Sequence, residues 1–457
     1  MNAPEATVAI CKCKETHKTY GVRFEKVSAR HWKYTWAFPM KEKTAKREGY
    51  DGTLIEGNIE PDIDYPGCPY CGSKYFVVCQ CGKLNCNIGT VNGSFTCEWC
   101  GLTGTITGYD GSGVKSGGRS LMIVDRYYYT QLSEEERKIY TIFYKGVTAL
   151  EKKIFLPGVK LDQQMIHRIF RAITADNPHL YYFNQSCMNL GRTQFGDVLL
   201  PQYFCNKDQI DTYNGRVNEC VSNIVYQLDL MNASEEEKLK RVHDYMAKNI
   251  VYDHEALQVS KVDRLVAAHS IIGFFAKQRA VCEGIAKAAK LLLNTVDMKC
   301  IYVMGKSSLE KHGEHGWNIV KVNGKPYHID FTWDVANSKN GIINYDYYNL
   351  PEEAILLDHS DFAGVPKCTS WDDNYFVKEN MFFDSMKELE TEMMQRIKQG
   401  QRMFYFKMSK NAGYTMKEIV QSAASFAVAE VSQDGTIWKS SSSLNEEQRT
   451  GRVILKR

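Results

Sequence analysis

One cysteine of the 457-residue chain stands at a position suited to nucleophilic chemistry. Cys282 opens the run from Val281 to Leu293 (VCEGIAKAAKLLL), whose composition predicts a buried helix. The positive end of a helix dipole stabilises a thiolate, which is the nucleophilic form of cysteine. The run therefore predicts a reactive thiol in the first helical turn, although a lone cysteine at such a position is more often a small core residue.

A histidine and an aspartate are brought together by a predicted hairpin. The dipeptide Asn323-Gly324 is typical of a two-residue turn between antiparallel strands. With this turn, Trp317 pairs with Asp330 and His315 pairs with Thr332. His315 and Asp330 then share one face of the sheet as diagonal neighbours, within reach of a hydrogen bond.

Together, these residues have the types and the order of a nucleophilic triad. A histidine held by a carboxylate keeps the tautomer that takes a proton from a nearby thiol. The pattern thus predicts Cys282, His315 and Asp330 as catalytic residues. The alternative is a structural His315–Asp330 pair with Cys282 in the core.

These segments resemble a known superfamily. The run from Val281 to Leu293 and the run from His315 to Asp334 (HGWNIVKVNGKPYHIDFTWD) closely resemble the transglutaminase-like superfamily, particularly its bacterial members. The resemblance is strong over about residues 231 to 350, and one departure from it is Ile285, where many members have an aromatic residue. It implies an α+β, papain-like core in which a catalytic helix packs on an antiparallel sheet.

The resemblance also implies a role for each residue. Cys282 is the nucleophile, His315 the general base and later acid, and Asp330 the residue that orients the imidazole. The product is a thioester acyl-enzyme, which water hydrolyses or an amine captures, and no cofactor is needed. The oxyanion is expected to bind the Cys282 backbone N–H and the side chain of Gln278. Two tryptophans, Trp317 and Trp333, are expected to line or support the cleft.

Nine of the fifteen cysteines lie in the first hundred residues, which favours metal binding over disulfides. Two CxxCG knuckles predict one four-sulfur zinc site, with the ligands Cys68, Cys71, Cys97 and Cys100. A second site is predicted from Cys13, Cys79, Cys81 and Cys86. Cys11, His17 and His31 stay open as alternative ligands, as does an exchange of ligands between the two sites.

This cysteine-rich segment resembles a second family. The run CPYCGSKYFVVCQCGKLNC followed by CEWCG resembles the metal-binding C-terminal domain of TerY proteins, over roughly residues 10 to 104. The resemblance implies a bacterial protein whose module holds two structural zinc ions and recruits a protein partner. Iron in place of zinc is the alternative.

The composition is that of a globular protein, with 44% hydrophobic and 24% charged residues. A net charge of +3 without a long basic run predicts neither a nucleic-acid partner nor a membrane partner. The N-terminus lacks the apolar run of a secretory signal, and no segment has the ~18 apolar residues of a membrane span. A cytoplasmic location is therefore expected.

Five regions are expected along the chain. They are a zinc module (1–104), a Gly/Ser-rich linker (105–118), a helical lead-in (119–230), a transglutaminase-like core (231–365) and a small α/β appendage (366–457). Capping boxes predict helix starts after Ser133 and Ser234. In the appendage, a helix is predicted near 385–399 and a strand at 403–408.

The sequence favours a cysteine hydrolase or acyl transferase that acts on amide bonds of a protein or peptide, with hydrolysis preferred. A peptide N-glycanase-like amidase is a second enzyme hypothesis. It is disfavoured because the CxxC pairs lie about 180 residues before Cys282. The non-enzyme alternative is a zinc-dependent adaptor with a vestigial triad.

Overall fold

The computed structural model describes residues 6–28, 31–40, 53–55, 58–79, 83–87, 94–99, 103–105, 114–116, 126–230, 233–256, 267–296, 298–310, 313–433 and 435–457. The chain divides into two compact units. The first comprises Met1–Ile123 and Asp211–Asn223, and the second comprises Val124–Ile210 and Ile224–Arg457.

In its described residues, the first unit is built on a six-stranded sheet. The strands are β1 (Ala6–Lys12), β2 (Thr19–Ser28), β3 (His31–Pro39), β5 (Asn58–Pro61), β6 (Tyr75–Val78) and β7 (Leu84–Asn87). Their order across the sheet is β5-β3-β2-β1-β7-β6. Strands β1 and β7 are parallel neighbours, with Cys11 opposite Leu84 and Lys12 opposite Asn85. This pairing places Cys13, just after β1, beside Cys86 of β7.

Two further strand pairs complete the described part of this unit. They are β4 (Thr53–Ile55) with β10 (Val114–Ser116), and β8 (Ser94–Thr96) with β9 (Thr103–Thr105). The β10 strand falls inside the segment expected to be a flexible linker. Residues 114–116 therefore belong to a strand pair of the first unit.

The lead-in to the core contains helices α1 (Tyr127–Gln131), α2 (Glu134–Thr148) and α3 (Gln163–Asp176), as well as a sheet. Its strands β11 (Ile154–Pro157), β12 (Phe183–Thr193) and β13 (Gly196–Tyr203) are antiparallel, in the order β11-β13-β12. The capping box at Ser133 is confirmed at the start of α2. The sequence predicted only helices here, because strands with little alternation of apolar and polar residues give a weak pattern. Helix α4 (Lys207–Gln227) follows.

The core of the second unit packs helices on an antiparallel sheet, as predicted. Strands β16 (Cys300–Ser307), β17 (Glu314–Val322), β18 (Lys325–Ile329) and β19 (His359–Ser360) have the order β18-β17-β16-β19. Helix α5 (Glu235–Asn249) begins at the predicted capping box, and α6 (Ile271–Lys277) leads to α7 (Cys282–Thr295). Every residue of α7 from Gly284 onward is buried, and α7 packs on β16 and β17. The short strands β14 (Val251–Tyr252) and β15 (Arg279–Ala280) pair in parallel beside it.

The hairpin of β17 and β18 has the predicted turn and then departs from the predicted register. Asn323 and Gly324 both have positive φ, 50° and 82°, as a two-residue turn of this kind requires. Pairing runs from Val322–Lys325 to Asn318–Ile329 and stops there. The predicted pairing of His315 with Thr332 is wrong, because the chain leaves the sheet after Ile329 and forms α8 (Phe331–Asn337).

The C-terminal region is an α/β layer, as predicted. Helices α10 (Tyr375–Lys378), α11 (Met386–Lys398) and α12 (Met416–Val431) alternate with strands β20 (Phe382–Phe383), β21 (Met403–Met408), β22 (Lys439–Asn445) and β23 (Thr450–Lys456), whereas α9 (Glu352–Ile355) still lies between β18 and β19 of the core along the chain. The sheet order is β20-β21-β23-β22, and its apolar face packs with α11 and α12 into a separate core cluster. Among the helices of the described residues, none is both long enough and apolar enough to cross a bilayer.

Candidate active site

Cys282 is the first residue of the 14-residue helix α7, and its side chain is half-buried. Val281 precedes it in an extended conformation and makes no side-chain cap. The N–H groups of a first helical turn have no intrahelical acceptor, so they are available to an anion. The close approach of another backbone segment requires Gly284 in the same turn, because a Cβ at that position would collide with the carbonyl oxygens of Ala268 and Ser270.

His315 and Asp330 meet in the buried interior behind the thiol. The His315 Nε2 atom lies 2.6 Å from Asp330 Oδ2, and both side chains are 0% exposed. His315 lies on β17, and Asp330 is the N-cap of α8, directly after β18. The second carboxylate oxygen of Asp330, Oδ1, accepts hydrogen bonds from the N–H groups of Thr332 and Trp333. The expected contact is therefore present, although Asp330 begins a helix instead of continuing the strand.

The other ring nitrogen of His315 is left available to the thiol. Single ligand atoms of Cys282, His315 and Glu310 all lie within 4.8 Å of one another. Among the described residues, His315 Nδ1 has no hydrogen-bond partner of normal geometry, and its neighbour Glu310 Oε1 is 3.7 Å away. The imidazole is thus fixed at one nitrogen and free to exchange a proton with Cys282 at the other.

The charges of His315 and Asp330 stabilise one another. Burial alone would lower the pKa of His315, but the Asp330 carboxylate and the Cys282 thiol raise it to about 9. Burial alone would raise the pKa of Asp330, but His315 and His359 hold it well below its usual range. The arrangement favours an imidazolium and a carboxylate, and an imidazolium beside a thiol stabilises the thiolate.

A second histidine, which no local sequence pattern marks, binds the same carboxylate. His359 Nε2 lies 3.1 Å from Asp330 Oδ2, and His359 Nδ1 lies 2.5 Å from Asp358 Oδ1. Asp358 in turn accepts hydrogen bonds from the Tyr347 hydroxyl at 2.8 Å and from Gln448 Nε2 at 3.0 Å. Burial lowers the pKa of His359, but its two carboxylate neighbours raise it to about 9.

Two indole rings flank the His315 imidazole. The ring of Trp333 lies 5.6 Å from it and the ring of Trp317 lies 6.0 Å from it, both nearly parallel. Trp317 is fully buried and donates its Nε1–H to His328 Nδ1 at 3.0 Å. Both tryptophans therefore support the histidine, and an aromatic face close to it favours its charged form.

Gln278, the expected oxyanion donor, lies at the end of α6. Its backbone is left-handed, with φ of 53°, and its side chain is exposed. Its carbonyl oxygen accepts a hydrogen bond from Val251 N–H at 3.1 Å. These contacts fix the backbone of Gln278 and leave its side chain unassigned, so the oxyanion role stays a prediction.

In the first unit, four cysteine sulfurs converge on one point. The Sγ atoms of Cys13, Cys68, Cys71 and Cys86 all lie within 4.8 Å of one another. Cys71 Sγ and Cys86 Sγ are 3.5 Å apart, which is too far for a disulfide and close to the spacing of two thiolates on one tetrahedral ion. The N–H of Lys14 donates to Cys86 Sγ at 3.1 Å. The cluster fits a metal site.

This grouping differs from the favoured ligand sets and corresponds to the exchange of ligands between the two sites that was left open above. Cys68 and Cys71 join Cys13 and Cys86 instead of Cys97, because the parallel pairing of β1 and β7 brings the latter two cysteines beside the first knuckle. Cys97 packs with Cys79 in a separate buried cluster. The other two predicted ligands, Cys81 and Cys100, lie outside the described residues.

The alternative ligands are not part of the four-sulfur cluster. Cys11 is fully buried in the sheet core, where burial raises its pKa well above the ordinary value. His17 Nδ1 lies 2.7 Å from a carboxylate oxygen of Glu98, and His31 Nε2 lies 3.1 Å from one of Glu60. Among the described residues, the cluster is therefore made of cysteines alone.

Comparisons with known proteins agree with this division of the chain. Residues 4–119 match the TerY-C metal binding domain, and residues 223–331 match the transglutaminase-like superfamily. A mouse protein, kyphoscoliosis peptidase, is 24% identical over 161 residues, which are 32% of this chain and 23% of that protein. The chain thus spans about a quarter of the length of this relative.

Two solved structures are also similar. A TGase structure has a TM-score of 0.25 and 16% identity, over 41% of this chain and 52% of its own. A protein from Cytophaga hutchinsonii that was proposed to be a cysteine protease has a TM-score of 0.21 and 11% identity, over 32% of this chain and 61% of its own. The family matches rest on the sequence itself, and they name both parts of the molecule described above. The N-terminal part of the chain thus matches the TerY-C metal binding domain, and the segment that carries Cys282, His315 and Asp330 matches the transglutaminase-like superfamily.

Proposed function

We propose that the second unit is a cysteine hydrolase that cleaves amide bonds of a protein or peptide substrate. The observation that carries this proposal is the orientation of His315. Its Nε2 atom is held by Asp330 at 2.6 Å, while its Nδ1 atom makes no hydrogen bond to another described residue and is available to the nearby Cys282 thiol at the start of α7. A thiol, an imidazole and an orienting carboxylate in this order are sufficient for nucleophilic acyl transfer.

The first half of the reaction forms a thioester. The Cys282 thiolate attacks the substrate carbonyl carbon, and the carbonyl electrons move to an oxyanion at the start of α7. The backbone N–H of Cys282 is a donor for that oxyanion, and Gln278 is a second candidate. When the oxyanion collapses, the C–N bond breaks and His315 gives its Nδ1 proton to the departing amine. Asp330 stabilises the imidazolium throughout and keeps its own charge.

The second half consumes the thioester. His315, now neutral, takes a proton from water, and the resulting hydroxide attacks the thioester carbon. The C–S bond breaks, which releases a carboxylic acid and restores the Cys282 thiolate beside an imidazolium. An amine in place of water gives a transferred acyl group by the same steps, so the triad is compatible with both outcomes, of which we propose hydrolysis.

The first unit has a structural role in this proposal. Its cysteines bind zinc, two ions in all, and the sites have no open coordination position for chemistry. The four clustered sulfurs of Cys13, Cys68, Cys71 and Cys86 support one of these ions. The module holds its own fold through the metal and recruits a protein partner or substrate to the enzyme.

The test is a comparison of cysteine reactivities in the folded chain. Iodoacetamide near neutral pH is expected to label Cys282 faster than Cys220, Cys300 and Cys368. Burial raises the pKa of Cys220 to about 11 and that of Cys368 to about 12, and Cys300 is fully buried. Peptide mass spectrometry reports the rate at each site.

His315→Ala is the diagnostic variant, because it removes the imidazolium and leaves the helix. It should slow labelling of Cys282 and leave the other three cysteines unchanged. If Cys282 reacts no faster than Cys220, Cys300 and Cys368, and His315→Ala has no effect, the enzyme proposal fails and the adaptor hypothesis replaces it.

A further inference from the structure

A carboxylate that plays no part in the proposed reaction lies against the catalytic pair. Glu310 belongs to the loop between β16 and β17, and its side chain is only 15% exposed. Its backbone is held by hydrogen bonds to Ser307 and Gly313, and its Oε1 atom accepts one from the Tyr252 hydroxyl at 3.1 Å. A charged group buried in this way is costly unless a partner compensates for it.

The partners it faces are metal ligands by type. Single ligand atoms of Glu310, Cys282 and His315 lie within 4.8 Å of one another, and His315 Nδ1 is buried without a hydrogen-bond partner among the described residues. Sulfur, nitrogen and carboxylate oxygen are the ligands of zinc, and three protein ligands with one open position form its usual non-structural site. Glu310 Oε1 and His315 Nδ1 are 3.7 Å apart. Two ligands with bonds of ~2.0–2.1 Å on a tetrahedral ion lie only a few tenths of an ångström closer.

We propose that Cys282, His315 and Glu310 form an inhibitory zinc site, in which the ion occupies the position of the substrate carbonyl. This inference rests on the proposed function, because it regulates the same thiol. The thiolate and the Glu310 carboxylate neutralise the dication, and His315 binds through Nδ1 because Asp330 already holds Nε2. A carboxylate behind a metal-binding histidine is the common outer-shell arrangement of zinc sites.

Zinc in this site blocks both catalytic functions at once. The sulfur lone pair that attacks the substrate and the nitrogen lone pair that takes the proton are both used as metal ligands. The proton shared by Cys282 and His315 leaves to solvent when the ion binds, and it returns when a chelator removes the ion. Magnesium does not substitute, since it prefers an all-oxygen set of ligands.

The experiment measures protection of Cys282 from alkylation by zinc. The full chain, with its N-terminal cysteines already loaded with metal, is placed in a series of zinc buffers and treated with iodoacetamide. Labelling of Cys282 is followed by mass spectrometry, and labelling of the buried Cys368 in the same sample reports any general unfolding. We expect zinc to suppress labelling of Cys282 with one midpoint, and magnesium to have no effect.

Glu310→Gln is the test variant and Glu314→Gln is its matched control. Loss of an outer-shell partner typically weakens metal binding 10–100-fold. Loss of the ligand Glu310 should therefore raise the midpoint by at least about tenfold. Glu314 is exposed at the start of β17, so its variant removes the same charge nearby and should keep the wild-type midpoint. For each variant, the labelling rates in zinc are divided by its own labelling rate in chelator before the midpoint is determined.

Failure of the zinc site and failure of the proposed function give different labelling results. If Cys282 labels rapidly in chelator and zinc does not slow it, the zinc site is overturned and the nucleophile stands. If zinc protects wild type and Glu310→Gln equally, the proposed ligand set is wrong. If Cys282 is inert even in chelator, the proposed function fails, and the zinc site fails with it.

Discussion

The Asp330 carboxylate serves four donors at once. One oxygen caps α8 through the N–H groups of Thr332 and Trp333, and the other binds His315 and His359. The residue therefore orders a helix start and aligns two imidazoles with the same rigid group. A change at Asp330 is therefore expected to act on the helix start and on the two histidines together.

Asp330→Asn separates the two uses. The amide oxygen of asparagine still caps α8, but its NH₂ group faces the N–H groups of both histidines and disfavours the tautomer that accepts a thiol proton. The equivalent change in a serine-protease triad lowers kcat by about 10⁴-fold, and we expect a loss of that order here. The measurement is burst and turnover with a p-nitrophenyl ester, alongside the melting temperature. Turnover within tenfold of wild type would contradict the proposed role of Asp330.

The second histidine makes stability depend on pH. The pKa of His359 is raised from 6.5 to about 9 in the folded chain, so the folded state holds this proton more tightly than the unfolded one. Its contribution is fully present below pH 6.5 and is lost as pH rises through about 9. The His359 proton contributes up to roughly 3 kcal/mol to the free energy of unfolding. The free energy of unfolding in urea should differ less between pH 6 and pH 9 for His359→Gln than for wild type. An identical difference would mean that His359 is not charged in the fold.

Sequence reasoning predicted the three residues as a triad and missed the residues that lie beside them. Cys282, His315 and Asp330 lie within 49 positions and carry a helix start and a hairpin turn as signals. His359 and Glu310 reach the site from a two-residue strand and a loop, which have no periodicity or turn signature. Their positions depend on the tertiary fold, which no local pattern encodes.

At the scale of elements, α7 depends on one residue that has no side chain. Gly284→Ala would place a methyl group against the carbonyl oxygens of Ala268 and Ser270, so the N-terminal turn of α7 would have to move. Overpacking of this kind costs about 1–3 kcal/mol. Because Cys282 lies in the same turn, we expect slower alkylation of Cys282 together with a lower melting temperature.

Ala289→Gly is the matched control in the same helix. It costs about 1 kcal/mol through helix propensity, since glycine gains freedom in the unfolded chain. It leaves the N-terminal turn in place, so stability should fall while the labelling rate of Cys282 is kept. Equal labelling rates in Gly284→Ala and Ala289→Gly would show that the position of the turn does not control the thiol.

Local signals predicted the elements well where they were strong. The capping boxes at Ser133 and Ser234 mark helix starts, and Asn323-Gly324 forms the hairpin turn with the expected pairing next to it. The register extrapolated past Ile329 was wrong, because the cap formed by Asp330 competes with continuation of the strand. Alternation alone does not mark the point where a helix takes over.

For the whole molecule, metal content tests the corrected grouping of cysteines. We expect about two zinc ions per chain, and chelation should unfold the first unit while the second stays folded. Cys13→Ser and Cys86→Ser should each lose the same ion as Cys68→Ser, and Cys97→Ser should lose the other. Metal analysis with proteolysis of each unit measures this. A chain without metal, or with disulfides among these cysteines, would refute it.

The grouping was beyond sequence reasoning for a topological reason. Pairing the two CxxCG knuckles follows from their similarity, but the sheet order β5-β3-β2-β1-β7-β6 brings the start of the chain beside β7. Cys13 and Cys86 are separated by 73 positions and become neighbours only through this parallel pairing. Long-range pairing of this kind has no local sequence signal.

Gln448 connects the C-terminal layer to the candidate active site. Its side chain is fully buried and donates to Asp358, the carboxylate that holds His359 against Asp330. A fragment trimmed at residue 365, where the sequence suggests that an appendage begins, keeps every triad residue and loses this donor, leaving a buried carboxylate short of one partner. A shortened or chimeric chain that is meant to keep the candidate site should therefore contain both Asp358 and Gln448, which means that it extends past β22.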